Sequence, residues 1–133
     1  IDLIQVNEVN EVVTVSGLTE APWVQPWFIG VASVRGMLYG CTDLAAFLGL
    51  AEPMPAGESH LLLAHPRFGV NAALRIERAL GLRALADLRR ESAGQDAANW
   101  EIARWRDAED QEWVELSMQN LLASPVFLEA GMT

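Results

Sequence analysis

Residues 27–50 read WFIGVASVRGMLYGCTDLAAFLGL, two strand-length apolar runs parted by one Arg–Gly pair and closed by an acid. A two-residue polar break between such runs is a hairpin signal, with Arg35 and Gly36 as the turn. Phe28 to Val34 and Met37 to Thr42 are therefore expected to be paired strands. Asp43 then stands where a helix N-cap belongs, before LAAFLGL, and Gly49 stands where that helix should end. The unit itself is thereby an antiparallel hairpin. What remains to be explained is why Arg35, the only arginine before Arg67, sits at its centre.

The flanking segments extend the same pattern. Residues 1–16 carry β-branched side chains and end in alternation, which favours extended structure. The spacing of Val6, Val9 and Val13 leaves room for a helical turn in the middle. Thr19 to Pro26 reads as a loop, because Pro22 and Pro26 lack a ladder donor. Residues 51–58 form a connector containing Pro and Gly. His60 to Ala64 is a short strand before the turn HPRFG. The first half of VNAALRIERALGLRAL suits a strand or, by composition, a helix. The hairpin-length turn at Pro66 and Gly69, together with Gly81, favours the strand.

LADLRRESAGQDAANW looks polar and irregular, whereas WEIARW and EWVELSM face each other across RDAEDQ as a second hairpin. Val114, Leu116 and Met118 should share a face there. The tail QNLLASPVFLEAGMT starts as a short helix and breaks at Pro125. Many short strands without βαβ rhythm predict a single, mainly β domain over residues 1–133, a sandwich or barrel.

Composition narrows the function. A chain of 133 residues, 51% hydrophobic and 20% charged, is globular, and it can withdraw roughly two-thirds of its unfolded surface from water. Its net charge of −9 argues against nucleic acid, since phosphate binding needs a positive surface. All nine basic residues are Arg, and six of them, from Arg67 to Arg90, lie mid-chain. These read as solvated faces or, more sharply, as a patch for an acidic protein partner. The single cysteine, Cys41, forbids an internal disulfide and fits a reducing compartment. No signal peptide is visible at Ile1, and no apolar run approaches the ~20 residues of a membrane helix.

Chemistry is hard to find. Gly30, Gly36 and Gly40 match no phosphate-loop spacing, and there is no lysine to complete one. His60 and His65 are five apart, which sends them to opposite faces of a strand and makes them poor co-ligands. Cys41 is a nucleophile only if an imidazole lies beside it, and burial on a strand is the commoner fate. Ser16, Ser33 and Ser59 sit in no nucleophile elbow. Glu109, Asp110 and Glu112 crowd a hairpin loop, which is not a shaped cleft. Trp23 and Trp27 read as packing or as exposed anchors for a partner.

FIGVASVRGMLYGCTDLAAFLGL resembles the signature of the CheW family, the coupling proteins of bacterial chemosensory arrays. The family's Gly–Val pair, Asn–Leu–Arg–Gly-like turn, apolar strand and Asp–Leu helix start match Gly30–Val31, Ser33 to Gly36, Met37 to Thr42 and Asp43–Leu44. Val6, Glu8 and Val9 in IDLIQVNEV look like its V-x-E-aliphatic element, and ALRIERALGLRAL is similar to its V-D-x-V stretch with Glu77 at the acid. WVELSMQNLL looks like its closing strand and helix. The loop around Trp23 and Trp27 and the ending SPVFLEAG most resemble the PilI-like branch, which serves type IV pili and twitching motility. Ser33 replaces the usual Asn, Gly40 a frequent Pro, and Glu77 the common Asp.

The resemblance implies a CheW-like fold of two small five-stranded β-barrels around a shared core, with short helices and with the family's first strand, expected before Ile1, either lacking or not shown. It implies no catalysis and no cofactor or metal. The implied partners are the regulatory domain of a CheA-type histidine kinase and the cytoplasmic tip of a methyl-accepting chemoreceptor, with no direct membrane insertion. The implied location is cytoplasmic, at receptor arrays on the inner membrane. Partner contacts would fall at Val6, Glu8, Val9, Gly30, Arg35, Gly36 and Met37. A flagellar coupling protein is the neighbouring reading, and a small β-barrel ligand-binding or hydrolase domain is the reading from another class.

Overall fold

The computed structural model describes residues 2–16, 18–19, 27–50, 58–77, 81, 84–91, 97–124 and 127. Nine strands and two short helices follow in chain order: β1 (Asp2–Ile4), β2 (Val9–Ser16), β3 (Phe28–Val34), β4 (Met37–Asp43), α1 (Leu44–Phe47), β5 (Glu58–Ala64), β6 (Ala72–Ile76), β7 (Arg89–Glu91), β8 (Glu101–Arg106), β9 (Glu112–Leu116) and α2 (Met118–Ala123). They form a five-stranded sheet, ordered β2-β5-β6-β4-β3, and a four-stranded sheet, ordered β1-β9-β8-β7. The mainly β architecture expected from the hairpin pattern is therefore present. The second sheet has four strands among the described residues.

The five-stranded sheet curls into a half-barrel. Beyond the end of β2, Thr19 forms an antiparallel bridge with Val31 of β3, exchanging both backbone bonds at 3.0 and 2.9 Å. The two edge strands are drawn together there, which covers backbone groups that an open edge would expose. Inside lie Ala32, Tyr39, Cys41, Leu61, Leu63 and Ala73, with Val13, Val15, Ile29 and Val34 packed against them. Their every-other-residue spacing on β2, β4 and β5 is the strand periodicity visible in the sequence.

The outer face of the half-barrel packs on the rest of the domain. Leu44, Leu74, Leu116, Met118, Leu121 and Phe127 form a second cluster, with Ile4, Leu62 and Val114 against it. This shared core draws on both sheets and both helices. Phe47 of α1 is its aromatic centre, with Trp27, Trp100 and Phe127 ring centroids 5.3, 5.2 and 5.4 Å away. Trp27 is thereby a half-buried packing residue, the first of the two readings given above, and not an exposed anchor. Trp23 lies outside the described residues.

Most element expectations agree with the fold. The β3–β4 pair closes through a two-residue turn, with Val34 opposite Met37. Residues 6–8 form a three-ten turn, the helical interruption that the valine spacing allowed. Residues 72–76 are a strand, pairing with β5 antiparallel and with β4 parallel. Two readings fail. The strand expected to carry Met118 ends at Leu116, because Ser117 caps α2 and Met118 opens that helix. Arg89–Glu91, placed in an irregular segment, is β7, paired with β8. Its residues show no apolar alternation because its cross-strand partners are charged or aromatic. Arg106 donates to Glu91 at 2.7 Å, and the Arg90 guanidinium lies 5.9 Å from the Trp105 ring centroid. Residues 20–26, 51–57, 92–96 and Pro125, read as loops and breaks, lie outside the described residues, as does most of 78–83.

Candidate functional site

The hairpin tip is built by backbone conformation. Arg35 has φ +50° and Gly36 φ +82°, so both central residues of the β3–β4 turn are left-handed. This is the turn whose twist matches paired strands, and it favours glycine at the second position. A Cβ on Gly36 would meet no atom within 4 Å, so the requirement there is one of backbone conformation alone. The Arg35 side chain leaves the tip and forms an ion pair with Glu11 of β2. Glu11 shares the inward parity of Val13 and Val15, so the pair spans the rim of the half-barrel. Arg35 is 68% exposed, and such pairs contribute about 0–1 kcal/mol, which makes this one a brace for orientation more than for stability.

Beside the ion pair, the tip presents apolar surface. Met37 is 50% exposed and Leu38 is 64% exposed. Gly30, by contrast, is buried on β3, opposite Cys41 and beside a bulge. Its φ of +133° marks it as a backbone device with no surface to offer. Gly40 carries one of the departures from the family pattern. Its N–H donates to the Asn71 carbonyl at 3.0 Å, a bond proline cannot make, and a Cβ there would sit 3.2 Å from the Phe28 ring.

The V-x-E-aliphatic element occupies the crossing between the sheets. Val6 is 67% exposed, Val9 is half-buried at the start of β2, and Glu8 is buried. Both Glu8 carboxylate oxygens accept backbone N–H groups of α2, from Met118 and Gln119, each at 3.1 Å. Ser117 Oγ accepts the next one, from Asn120, also at 3.1 Å. The first three amide donors of α2 are thus capped by side chains. The structure therefore places Arg35, Gly36 and Met37 together at the rim, tied through Glu11 to the strand that Val9 begins. It sets Glu8 and Gly30 inside.

Two further residues were not anticipated. Glu11 is an acid at an inward position of a valine strand, and Leu38 is apolar at an outward position; both parities were readable once the strands were assigned. The buried pair Asp43–Arg75 was not, because its members are 32 residues apart. Asp43 Oδ2 accepts from Arg75 Nε and Nη2 at 3.1 and 2.8 Å, and its Oδ1 caps α1 by accepting from Ala46 N–H at 3.1 Å. The capping role expected for Asp43 is present, with an ionic role added.

The hydrolase reading finds no support in geometry. Cys41 is fully buried inside the half-barrel, and burial pushes its thiol up to about 11, so the thiolate is scarce at neutral pH. Its Sγ contacts the Tyr39 carbonyl at 3.5 Å. His60 Nδ1 meets Thr14 Oγ1 at 3.1 Å, and His65 Nδ1 accepts from Arg67 N–H at 3.1 Å. No group of three or more metal-ligating side chains occurs among the described residues. The mid-chain arginines form no free basic patch among those residues either: Arg75 is buried, Arg89 pairs with Asp110 at 3.6 Å, and Arg67 and Arg90 lie over aromatic rings. No described helix is long and apolar enough to cross a membrane.

Comparison with known proteins places this geometry. The family described as "CheW-like domain" matches residues 3–125. Protein PilI of Pseudomonas aeruginosa is 36% identical over 76 residues, covering 57% of this chain and 42% of that protein. The chain thus matches less than half the length of that relative. The scaffolding protein TtCheW of Thermoanaerobacter tengcongensis superposes with a TM-score of 0.69 at 14% identity, covering 92% of this chain and 85% of the other. At that identity the likeness concerns the fold.

Proposed function

The chain belongs to the CheW-like domain family, and from that premise we propose that it couples a methyl-accepting chemoreceptor to a CheA-type histidine kinase. Family membership makes it a non-catalytic scaffold of a chemosensory system. The finer reading is that residues 1–133 act as one domain in the system controlling type IV pili and twitching motility, at receptor arrays beneath the inner membrane. The partial identity with PilI supports the pilus assignment. The observation that carries the coupling role is the half-barrel rim, where an ion-paired Arg35 is flanked by exposed Met37 and Leu38. An apolar surface beside a fixed guanidinium is the composition of a protein-binding patch.

On this reading Val6, Val9, Arg35, Gly36 and Met37 face partners, while Glu8 and Gly30 shape the surface from within. Arg35→Ala and Val9→Asp should each weaken binding of the kinase regulatory domain or the receptor tip at least tenfold, about 1.4 kcal/mol. Arg35→Ala should change folding stability by less than about 1 kcal/mol, because the ion pair is exposed. Titration calorimetry paired with urea unfolding separates the two effects. Unchanged affinity for both partners in the folded variants removes these residues from the site.

A further inference from the structure

We infer that Glu8 is a positioning residue, which holds the partner-facing turn Val6–Glu8 against both halves of the domain without touching the partner itself. The inference rests on the coupling function proposed above and assigns the acid of the V-x-E element an internal task. The chain leaves the four-stranded sheet at Ile4 and enters the five-stranded sheet at Val9, so residues 5–8 are a crossing between them. Glu8 binds to both sides of that crossing. Its carboxylate accepts two N–H groups of α2, the helix that follows β9 of the four-stranded sheet. Its carbonyl accepts the His65 N–H at 3.0 Å, directly beyond the end of β5 in the five-stranded sheet. Its own N–H donates to the Gln5 carbonyl at 3.0 Å and closes the turn.

Every polar group of Glu8 thus has a partner within the chain, and the residue is 8% exposed. Val6, two positions earlier in the same turn, is 67% exposed. A buried carboxylate with reciprocal backbone partners is well suited to fixing a neighbour and poorly suited to meeting another protein. Replacing it by an amide keeps its volume but turns one acceptor into a donor, which faces a helix N–H unfavourably. The turn then loses its anchor to α2, and Val6 loses its fixed position.

The test compares Glu8→Gln with Ser117→Ala, which removes a different cap of the same helix and leaves the crossing intact. Affinity for the kinase regulatory domain is measured by titration calorimetry, with both variants shown to be folded at the assay temperature. Glu8→Gln should weaken binding at least tenfold and shift the amide resonances of residues 5–9. Ser117→Ala should weaken binding less than threefold and leave those resonances in place. Should Glu8→Gln fail to fold, Glu8→Asp, which withdraws the charge by one methylene, enters the same comparison with the same expected ordering. Equal losses in the two variants, or wild-type affinity and resonances in the Glu8 variant, overturn the inference while leaving the coupling function standing. Absence of binding by the wild-type protein overturns both.

Discussion

Arg75→Ala will destabilise the domain by about 3–5 kcal/mol, because it leaves the Asp43 carboxylate buried without its counter-ion. The two side chains are 2% and 3% exposed, and two Arg75 nitrogens donate to one Asp43 oxygen. The pair lies where β4 and β6 run parallel, with Asp43 directly opposite Arg75 in register. Asp43 also caps α1, whose Leu44 and Phe47 enter the shared core. One substitution therefore strips the charge partner from a residue that organises a strand end, a helix start and part of the core. Urea unfolding at neutral pH measures the loss, and a change below about 1 kcal/mol would mean that the pair is solvated in solution.

Leu74→Ala should cost about 2–5 kcal/mol by emptying volume in the shared core. Leu74 is 1% exposed on β6, the middle strand of the five-stranded sheet, and packs among residues of both sheets and both helices. Its neighbours are held by ladder hydrogen bonds, so the site has little freedom to collapse into the gap. A loss near the upper bound indicates a rigid junction between the halves. A loss below about 1 kcal/mol indicates that the halves close over the cavity, and with it that the core is more adaptable than its packing suggests. The same urea experiment reads both variants.

Local chemistry was legible in the sequence wherever one segment carried its own explanation. The Arg35–Gly36 turn needs only two left-handed residues between apolar runs, and Asp43 needs only the free helix N–H three residues on, so both were visible. β7 was not, since Arg89–Glu91 is stabilised by Arg106 and Trp105 from another strand, and its own sequence resembles a loop. Glu8 was recognised as part of a motif but not as buried. Its partners are 110 and 111 residues away, and nothing local distinguishes an internal cap from a surface acid. Arg75 was grouped with surface arginines for the same reason. Charged residues next to apolar ones are where sequence reading most often misplaces the inside and the outside, because their burial depends on a partner that only the fold supplies.

The candidate site shares this division. Arg35 at a turn was readable; that it reaches across the rim to Glu11 required the closure of β3 onto the segment after β2. The exposed pair Met37 and Leu38 shows how one hairpin tip offers both strand faces at once, the first residue at the end of the inward row and the second on the outward row. In physical terms the domain is a rigid holder for that tip. Two apolar clusters fix the sheets, a buried ion pair fixes β4 against β6, and Glu8 fixes the crossing between the halves.

A coupling protein must hold both partners at once. The most direct measurement is therefore a sedimentation or calorimetric assay in which the protein is mixed with the regulatory domain of its cognate CheA-type kinase and a soluble fragment of the receptor tip. The account predicts a ternary complex, with saturation by one partner leaving a binding site open for the other. Failure to bind either partner, or competition in which each displaces the other, would contradict it.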